Sequence, residues 1–386
     1  MIMTPAPLIS GTNAERSRMS NRQAALGQIR SAGQMGRAEI ARNLGLSTQA
    51  VSNIIADLQA DGLLVEAGTR SQGRGLPAVQ YGINAEGGYA LGVEIRPDAI
   101  FTAIVDLHGN ATATRRRTLK NNEPEYLINM LLKLRAEMLE KTGVDDKRLM
   151  GAGIVIPGPF GQTGVSGLGS DLAGWQHLDA HALFEEALQL PVELSNDANA
   201  AAMSEQITTG LNNFAYLYFG AGLGLGLINQ GQLVKGAFGN AGEIGHVQVM
   251  TANGPQSLES QLSRVAIQKH MNANNTIDIT AIEYLFNQSD PKLMQWLDAG
   301  ADALSQALAL IENLFDPQSI ILGGAMPAPL LEYLTTRTVL PTLSVSNRED
   351  NPHPRLQIGT CGRMAATLGA ASLILNRAFT PNATSL

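Results

Sequence analysis

The sequence predicts an α/β body preceded by a small α+β head, and three observations carry that prediction. Apolar spacing between residues 18 and 88 gives short helices followed by a hairpin. From Tyr89 onward the pattern changes to strands, turns and longer helices, as in an α/β body of two lobes. The 386 residues are 44% hydrophobic, enough apolar material for two or three cored units and too much for a disordered chain.

Residues 1–17 are small and polar without periodicity and are expected to form a loose tail, with regular structure starting near Arg18. Leu26 and Ile29 share one face of a first helix that ends near Gly33. A short second helix over residues 37–43 buries Ile40, Ala41 and Leu44, and Gly45 then turns the chain. Ser47 is a natural N-cap for a third helix, whose Val51, Ile54, Ile55 and Leu58 keep the i, i+3, i+4, i+7 rule. Opposite that stripe stand Thr48, Gln49, Ser52 and Asn53, short hydrogen-bonding side chains at the end of a helix that meets base edges in a major groove. Two strands follow, joined by a glycine-rich tip containing Arg70 and Arg74, which suits phosphate or minor-groove contact. Three helices and then a basic hairpin is the order of a winged helix-turn-helix over residues 18–88; a protein-interaction domain has the same elements without the polar face and basic wing.

The body, residues 89–386, opens with strands at 90–95 and 100–106, a turn at His108-Gly109-Asn110, and a helix near 126–140 burying Leu127, Leu131, Leu134 and Met138. A strand over 151–156 then runs into Pro157-Gly158-Pro159. Four clusters have the residue types of a site. Asn196-Asp197-Ala198-Asn199 begins an alanine-rich helix, where an Asp is by local chemistry a cap. Gly220-Ala221-Gly222-Leu223-Gly224 joins two strands and has backbone N–H groups able to cradle a phosphate. Gly242-Glu243-Ile244-Gly245-His246 sets an acid and a histidine among glycines, and Leu322-Gly323-Gly324 opens a buried strand into a turn.

In this order the clusters resemble the ROK family of repressors, open reading frames and kinases, over about residues 18 to 375, and the head resembles that of the family's repressor branch. The resemblance implies an actin-like, two-lobed sugar-kinase fold with a carbohydrate in the cleft. It implies that Asn196, Asp197, Glu243, His246 and Glu259 contact sugar hydroxyls, Glu259 through Ser257-Leu258-Glu259, which is similar to the family's Cys-Leu-Glu segment. Carboxylates suit that task because they accept hydrogen bonds from paired hydroxyls directionally.

Two departures bear on function. Kinases of the family open the body with Asp, a variable residue, two glycines and Thr, which hold ATP phosphates; the matching stretch here is Glu94-Ile95-Arg96-Pro97-Asp98. Arg96 is bulky where backbone must approach, Pro97 lacks the N–H a cradle uses, and Ala221 replaces a hydroxyl residue of the second loop. Relatives also carry a zinc site of the GEIGH histidine and three cysteines, whereas the only cysteine here is Cys361, so no metal is expected.

Charge agrees with this division. Residues 1–90 hold eight Arg, no Lys and six acids, net +2, while the rest holds 19 basic against 28 acidic residues, net −9. Polyanion contact is therefore expected at the head alone. The single cysteine fits a reducing compartment, and no export leader or membrane span is expected, so the chain is expected in the cytoplasm. The expectation is a sugar-responsive transcriptional regulator, a repressor of carbohydrate uptake or catabolism genes. It is a non-enzyme without cofactor, bound to operator DNA and a small carbohydrate as a homodimer or higher homo-oligomer. The alternatives are a sugar kinase carrying a DNA-binding head, and a regulator controlled by a protein partner.

Overall fold

The computed structural model describes residues 13–70, 77–96, 98–158, 175, 178–272 and 278–380. Residues 1–12 of the expected tail, the wing residue Arg74, Pro97 and Pro159 lie outside the described residues. The chain divides into two compact units. The first comprises residues up to Gly88 with Asp106–His108 and the chain from Leu375, and the second Tyr89–Val105 with Gly109–Ile374.

The first unit holds helix α1 (Asn13–Ala32), strand β1 (Gln34–Gly36), helices α2 (Arg37–Leu44) and α3 (Thr48–Ala60), and strands β2 (Leu64–Arg70) and β3 (Ala78–Ile83). The first helix starts at Asn13 and not near Arg18, so the end of the expected tail is helical. Its early residues give no apolar stripe, which is why spacing missed them. The third strand, β1, is too short for a period-2 signal; it pairs antiparallel with β3, placing Met35 opposite Tyr81, and the sheet order is β1-β3-β2. Ile29, Ile40, Val51, Ile55, Leu58 and Tyr81 form its buried core. Helix α2 ends on Gly45 in the left-handed region (φ 65°), whose N–H returns to the helix carbonyls.

Ser47 caps α3 as expected, its hydroxyl accepting from the Ala50 N–H at 3.2 Å. Ser47→Ala is expected to cost about 1 kcal/mol, which denaturant unfolding of the full chain would read as a lower midpoint with an unchanged slope. Residues after Leu375, expected in the body, group with this unit: the Arg30 guanidinium lies 4.4 Å over the Phe379 ring, and Gln23 Nε2 donates to the Arg377 carbonyl at 3.0 Å. Burial lowers the Arg30 pKa to about 10.

The second unit contains two five-stranded sheets. One holds β4 (Tyr89–Ile95), β5 (Ala99–Asp106), β6 (Ala111–Thr118), β7 (Leu149–Val155) and β8 (Val192–Ser195), in the order β6-β5-β4-β7-β8, with helices α4 (Pro124–Thr142) and α5 (Ala180–Leu188). The predicted α4 stripe of Leu127, Leu131, Leu134 and Met138 is buried, in one core with Leu91, Val93, Ile104 and Ile154.

Helix α6 (Asp197–Thr209) leads into the other sheet, of β9 (Phe214–Phe219), β10 (Leu223–Asn229) and β11 (Gln232–Leu233). After a hairpin of β12 (Gln248–Thr251) and β13 (Gly254–Ser257) come α7 (Glu259–Leu262), α8 (Arg264–His270), α9 (Ile279–Asn287) and α10 (Pro291–Phe315). Then follow β14 (Ser319–Gly324), α11 (Ala328–Arg337), β15 (Leu356–Ile358) and α12 (Ala365–Phe379), with sheet order β11-β10-β9-β14-β15. Leu297, Leu304, Leu308 and Ile311 of α10 pack on Leu217, Leu225, Ile320 and Leu322 of this sheet. No helix among the described residues is long and apolar enough to cross a membrane.

Much of the glycine content is explained by close approach. A Cβ on Gly226 of β10 would lie 2.4 Å from the Ala198 carbonyl oxygen of α6, and one on Gly369 of α12 only 1.6 Å from that of Ala200. The alanine-rich α6 therefore fits against both β10 and α12 because neither side carries bulk. The fold is α/β, of the actin-like two-lobed sugar-kinase type, preceded by an α+β winged helix-turn-helix.

Candidate functional site

A cleft of about 330 Å³ opens where the ends of β4, β7 and β8 face the turns around β9 and β10. That is the lower end of the roughly 300–1,000 Å³ range of small-molecule pockets. All five predicted sugar-contacting residues, Asn196, Asp197, Glu243, His246 and Glu259, line it.

Each is held by its own local chemistry. Asn196 is the N-cap of α6, its Oδ1 accepting from the Asn199 N–H at 2.8 Å. This corrects the local reading of Asp197 as the cap. With the cap supplied by its neighbour, Asp197 is the first helical residue; Oδ1 takes the Ala198 N–H at 2.8 Å, and the carboxyl faces the cleft. Removal from water, and then the neighbouring Glu94 charge, push its pKa up to about 6.

Glu243 follows Gly242, whose φ of 94° and closeness to the Leu225 carbonyl, 1.8 Å from where a Cβ would sit, admit only glycine. Its Oε2 lies 3.7 Å from His246 Nε2, and burial raises its carboxyl pKa. Glu259 opens α7, its Oε2 accepting from the Leu223 N–H at 3.1 Å.

The glycines of the second cluster are accounted for by these carboxylates. A Cβ on Gly222 would meet Glu259 Oε2 at 2.4 Å, and one on Gly220 would meet Asp197 Oδ2 at 3.1 Å. Gly323 likewise makes room for the Tyr216 hydroxyl, 1.9 Å from its notional Cβ. At these positions glycine leaves room for the protein's own side chains, which gives it a reason without a phosphate.

Sequence reasoning treated Glu94 and Arg96 only as departures from a phosphate motif, yet both line the cleft, as do Tyr218 and Arg264. Arg96 Nε donates to Glu94 Oε1 at 2.6 Å and its guanidinium lies 4.3 Å over Phe101. Thr367 Oγ1 of α12 donates to Glu94 Oε2 at 2.8 Å. Glu94 is thus fully engaged by protein groups, while Arg96 Nη2 is buried without a partner among the described residues. The available signal was a lone carboxylate in the otherwise apolar strand Tyr89–Ile95.

The segment from Val247 to Leu258, a zinc loop in the resemblance, is here the β12–β13 hairpin, anchored by Val249 in the core and by Gln306, which bonds both backbone groups of Met250. Among the described residues no group of three or more His, Cys, Asp or Glu is placed to hold a metal ion.

In the first unit, Thr48, Gln49 and Asn53 are exposed on α3 and Ser52 is half-buried, its hydroxyl donating to the Thr48 carbonyl at 2.9 Å. Gln49 Nε2 donates to Asn53 Oδ1 at 3.2 Å, so the two amides form one exposed polar pair. Arg18 and Arg22 pair with Asp57 and Asp61, which leaves the exposed Arg70 at the end of β2 as the described cation next to the wing tip.

The ROK family model matches residues 90–377. The xylose repressor of Bacillus spizizenii is 26% identical over 317 residues, covering 79% of this chain and 82% of that protein. A solved ROK family transcriptional regulator, described as a homolog of the E. coli MLC protein, superposes with a TM-score of 0.71 at 21% identity, covering 94% of this chain and 97% of that one. The ROK family glucokinase of Streptomyces griseus, solved with glucose and AMPPNP, has a TM-score of 0.58 at 25% identity, covering 74% of this chain and 99% of its own.

Proposed function

The chain belongs to the ROK family, and on that premise we propose that it is a sugar-responsive, DNA-binding transcriptional repressor of carbohydrate uptake or catabolism genes. The observation that carries the reading is that Asn196 and Asp197, Glu243 and His246, and Glu259, from three segments of the sequence, line one cleft of monosaccharide scale. Three carboxylates, an amide and an imidazole around such a volume suit a ring of vicinal hydroxyls. The similarity to a xylose repressor and to a ROK transcriptional regulator supports the same reading.

In this account the exposed face of α3 reads a half-site, the wing with Arg74 contacts phosphate or the minor groove, and a dimer spans a near-palindrome. Sugar alters operator affinity only to the extent that it binds the DNA-competent and DNA-incompetent states unequally. Gln49→Ala or Asn53→Ala is expected to weaken operator binding by about 1–2 kcal/mol and to relax the preference at one base pair, since amide side chains pair with adenine edges. Anisotropy titrations against single-base operator variants read both effects; a uniform loss across all variants contradicts the role.

The direct test of the cleft is a thermal-shift screen against monosaccharides, sugar phosphates and short oligosaccharides. Binding to the folded state alone raises the melting temperature by mass action. A panel with no shift for any sugar counts against the reading.

One observation favours a second reading, a sugar kinase: Asp197, with its pKa near 6, has the basicity of a group that takes a proton from a sugar hydroxyl, and a glucokinase is among the similar structures. Against it stands Arg96, bulky and paired with Glu94 in the stretch that holds phosphates in family kinases. A coupled ATP-turnover assay with each sugar separates the two.

A further inference from the structure

The five sugar-contacting residues leave unexplained a loop beside the mouth of the cleft. The cleft lining runs from Glu94, 2% exposed, to Glu243 and His246, whose side chains are 38% and 47% exposed. Its open side is therefore the Glu243–His246 turn, and segment 235–241 leads directly into that turn.

This segment is a built loop. The Ala241 N–H donates to the Lys235 carbonyl at 3.2 Å and closes it at the base. Gly236 and Gly239 have φ of 72° and 81°, left-handed values that favour glycine, so the backbone itself sets the bend between them. Both ends are tied to elements that carry cleft residues. Lys235 Nζ lies 4.0 Å from Glu193 Oε2 of β8, the strand that ends next to Asn196. At the other end the Gly242 carbonyl accepts from the Leu225 N–H of β10 at 3.0 Å.

Between the two glycines stands Phe238, 87% exposed. Its chain neighbours are Ala237 and Gly239, too small to cover a ring, and a Cβ on Gly239 would meet nothing within 4 Å among the described residues. Among the described residues from 229 to 246 it is the one large apolar side chain left exposed. A loop whose shape is fixed by glycines and whose base is anchored thus holds an uncovered aromatic ring beside the open side of the cleft.

We infer that Phe238 is the platform for a second sugar ring, and that the ligand of this cleft is a disaccharide or longer glycoside whose terminal ring fills the cleft. The inference rests on the proposed sugar site and extends it outward. Volume sets the division: about 330 Å³ is of monosaccharide scale, so a second ring has to leave past Glu243 and His246, where Phe238 stands. The chemistry fits. One face of a pyranose is a patch of C–H groups, which suits the negative face of an aromatic ring and is withdrawn from water by stacking on it. The polar cleft fixes the identity of the first ring, while an apolar platform adds affinity for the second with little demand on its hydroxyl positions.

The test is calorimetric titration of the full-length protein as wild type, Phe238→Ala and Phe238→Trp. The probes are xylose beside xylobiose, glucose beside cellobiose and maltose, and N-acetylglucosamine beside chitobiose. Melting temperatures without sugar are expected to be the same in all three proteins, because Phe238 packs on so little. For the sugar that fits the cleft, wild type is expected to bind a disaccharide roughly three- to tenfold more tightly than its monosaccharide, the scale of one aromatic stacking contact. Phe238→Ala is expected to lose that advantage and to keep the monosaccharide affinity. Phe238→Trp is expected to retain it. The two native tryptophans, Trp175 and Trp296, are buried, so the indole introduced on the loop reports its own surroundings, with emission that shifts on adding the disaccharide and not the monosaccharide.

Monosaccharide binding with no tighter binding of any disaccharide overturns the platform and leaves the sugar site standing. So does a Phe238→Ala variant that keeps the disaccharide advantage, or one that loses affinity for both ligands equally. A wild type that binds none of these carbohydrates overturns the sugar reading and the platform together.

Discussion

Gly153→Ala is expected to destabilise the second unit by more than about 3 kcal/mol, above the usual 1–3 kcal/mol of an overpacked core, and to lower its melting temperature by roughly 5–10 °C. Gly153 of β7 and Gly92 of β4 are register partners in the parallel pair, and together they make a flat strip on which α12 lies. A Cβ on Gly153 would sit 1.7 Å from the Ala370 carbonyl oxygen, and one on Gly92 would sit 2.2 Å from that of Thr367. The opposing atoms are helix backbone, so no rotamer change relieves the clash; the whole helix has to move.

That movement is resisted from the far side, where Gly369 sits against the Ala200 carbonyl of α6. It also strains the Thr367 to Glu94 hydrogen bond at the cleft. Differential scanning calorimetry of Gly153→Ala beside Gly158→Ala checks the prediction. Among the described residues a Cβ on Gly158 would meet only Asn196, at an ordinary 3.8 Å, and its substitution is expected to change little. Equal melting temperatures for the two variants contradict the packing account.

Asp197→Asn is expected to weaken sugar binding about 10- to 100-fold, the loss of hydrogen bonds to a charged acceptor worth about 1.5–3 kcal/mol, and to flatten its pH dependence. The wild-type carboxyl titrates near 6 in the folded protein, raised by burial and by Glu94 from its ordinary value of 3.8. Above pH 6 it is ionised and is expected to accept from sugar hydroxyls; as pH falls below about 6 it takes a proton, and wild-type sugar affinity is expected to drop.

Stability runs the other way. Between pH 3.8 and 6 the folded protein holds a proton that the unfolded chain releases, so the contribution is full below 3.8 and is lost as pH rises through 6. The asparagine variant, with no charge to bury, is therefore expected to gain on wild type as pH rises from 4 to 7. Calorimetric titration and thermal melts over that range read both trends. A sugar affinity in wild type that is flat from pH 5 to 7 contradicts the role given to this carboxyl.

The third helix of the head was legible because three independent local signals coincide: a serine cap, a helical apolar stripe and a polar opposite face, all between Ser47 and Leu58. Strand β1 was not, because three residues carry no period and its partner β3 lies more than 40 residues away. The cleft shows the same division. Asn196, Asp197, Glu243, His246 and Glu259 follow from motif order, since their spacing belongs to a resemblance covering most of the chain.

The pairing of Arg96 with Glu94, and of Glu94 with Thr367 some 270 residues away, depends on how α12 returns to β4, which no local pattern encodes. Whether a glycine marks a phosphate cradle or a close contact is equally invisible locally. At Gly222 the answer is the Glu259 carboxylate, 37 residues on. The cap of α6 passed from Asp197 to Asn196 because a shift of one position decides which side chain turns back to the helix N–H groups and which faces the cleft.

The most direct test of the account is an anisotropy titration of operator DNA, selected from a random pool, with and without a sugar found by thermal shift, for wild type and Asp197→Asn. A saturating sugar is expected to change wild-type operator affinity by about tenfold or more, within the usual 5- to 150-fold range of coupling, and to leave Asp197→Asn unmoved at the same concentration. Operator affinity that is the same with and without every sugar tried, or a full response in Asp197→Asn, contradicts it.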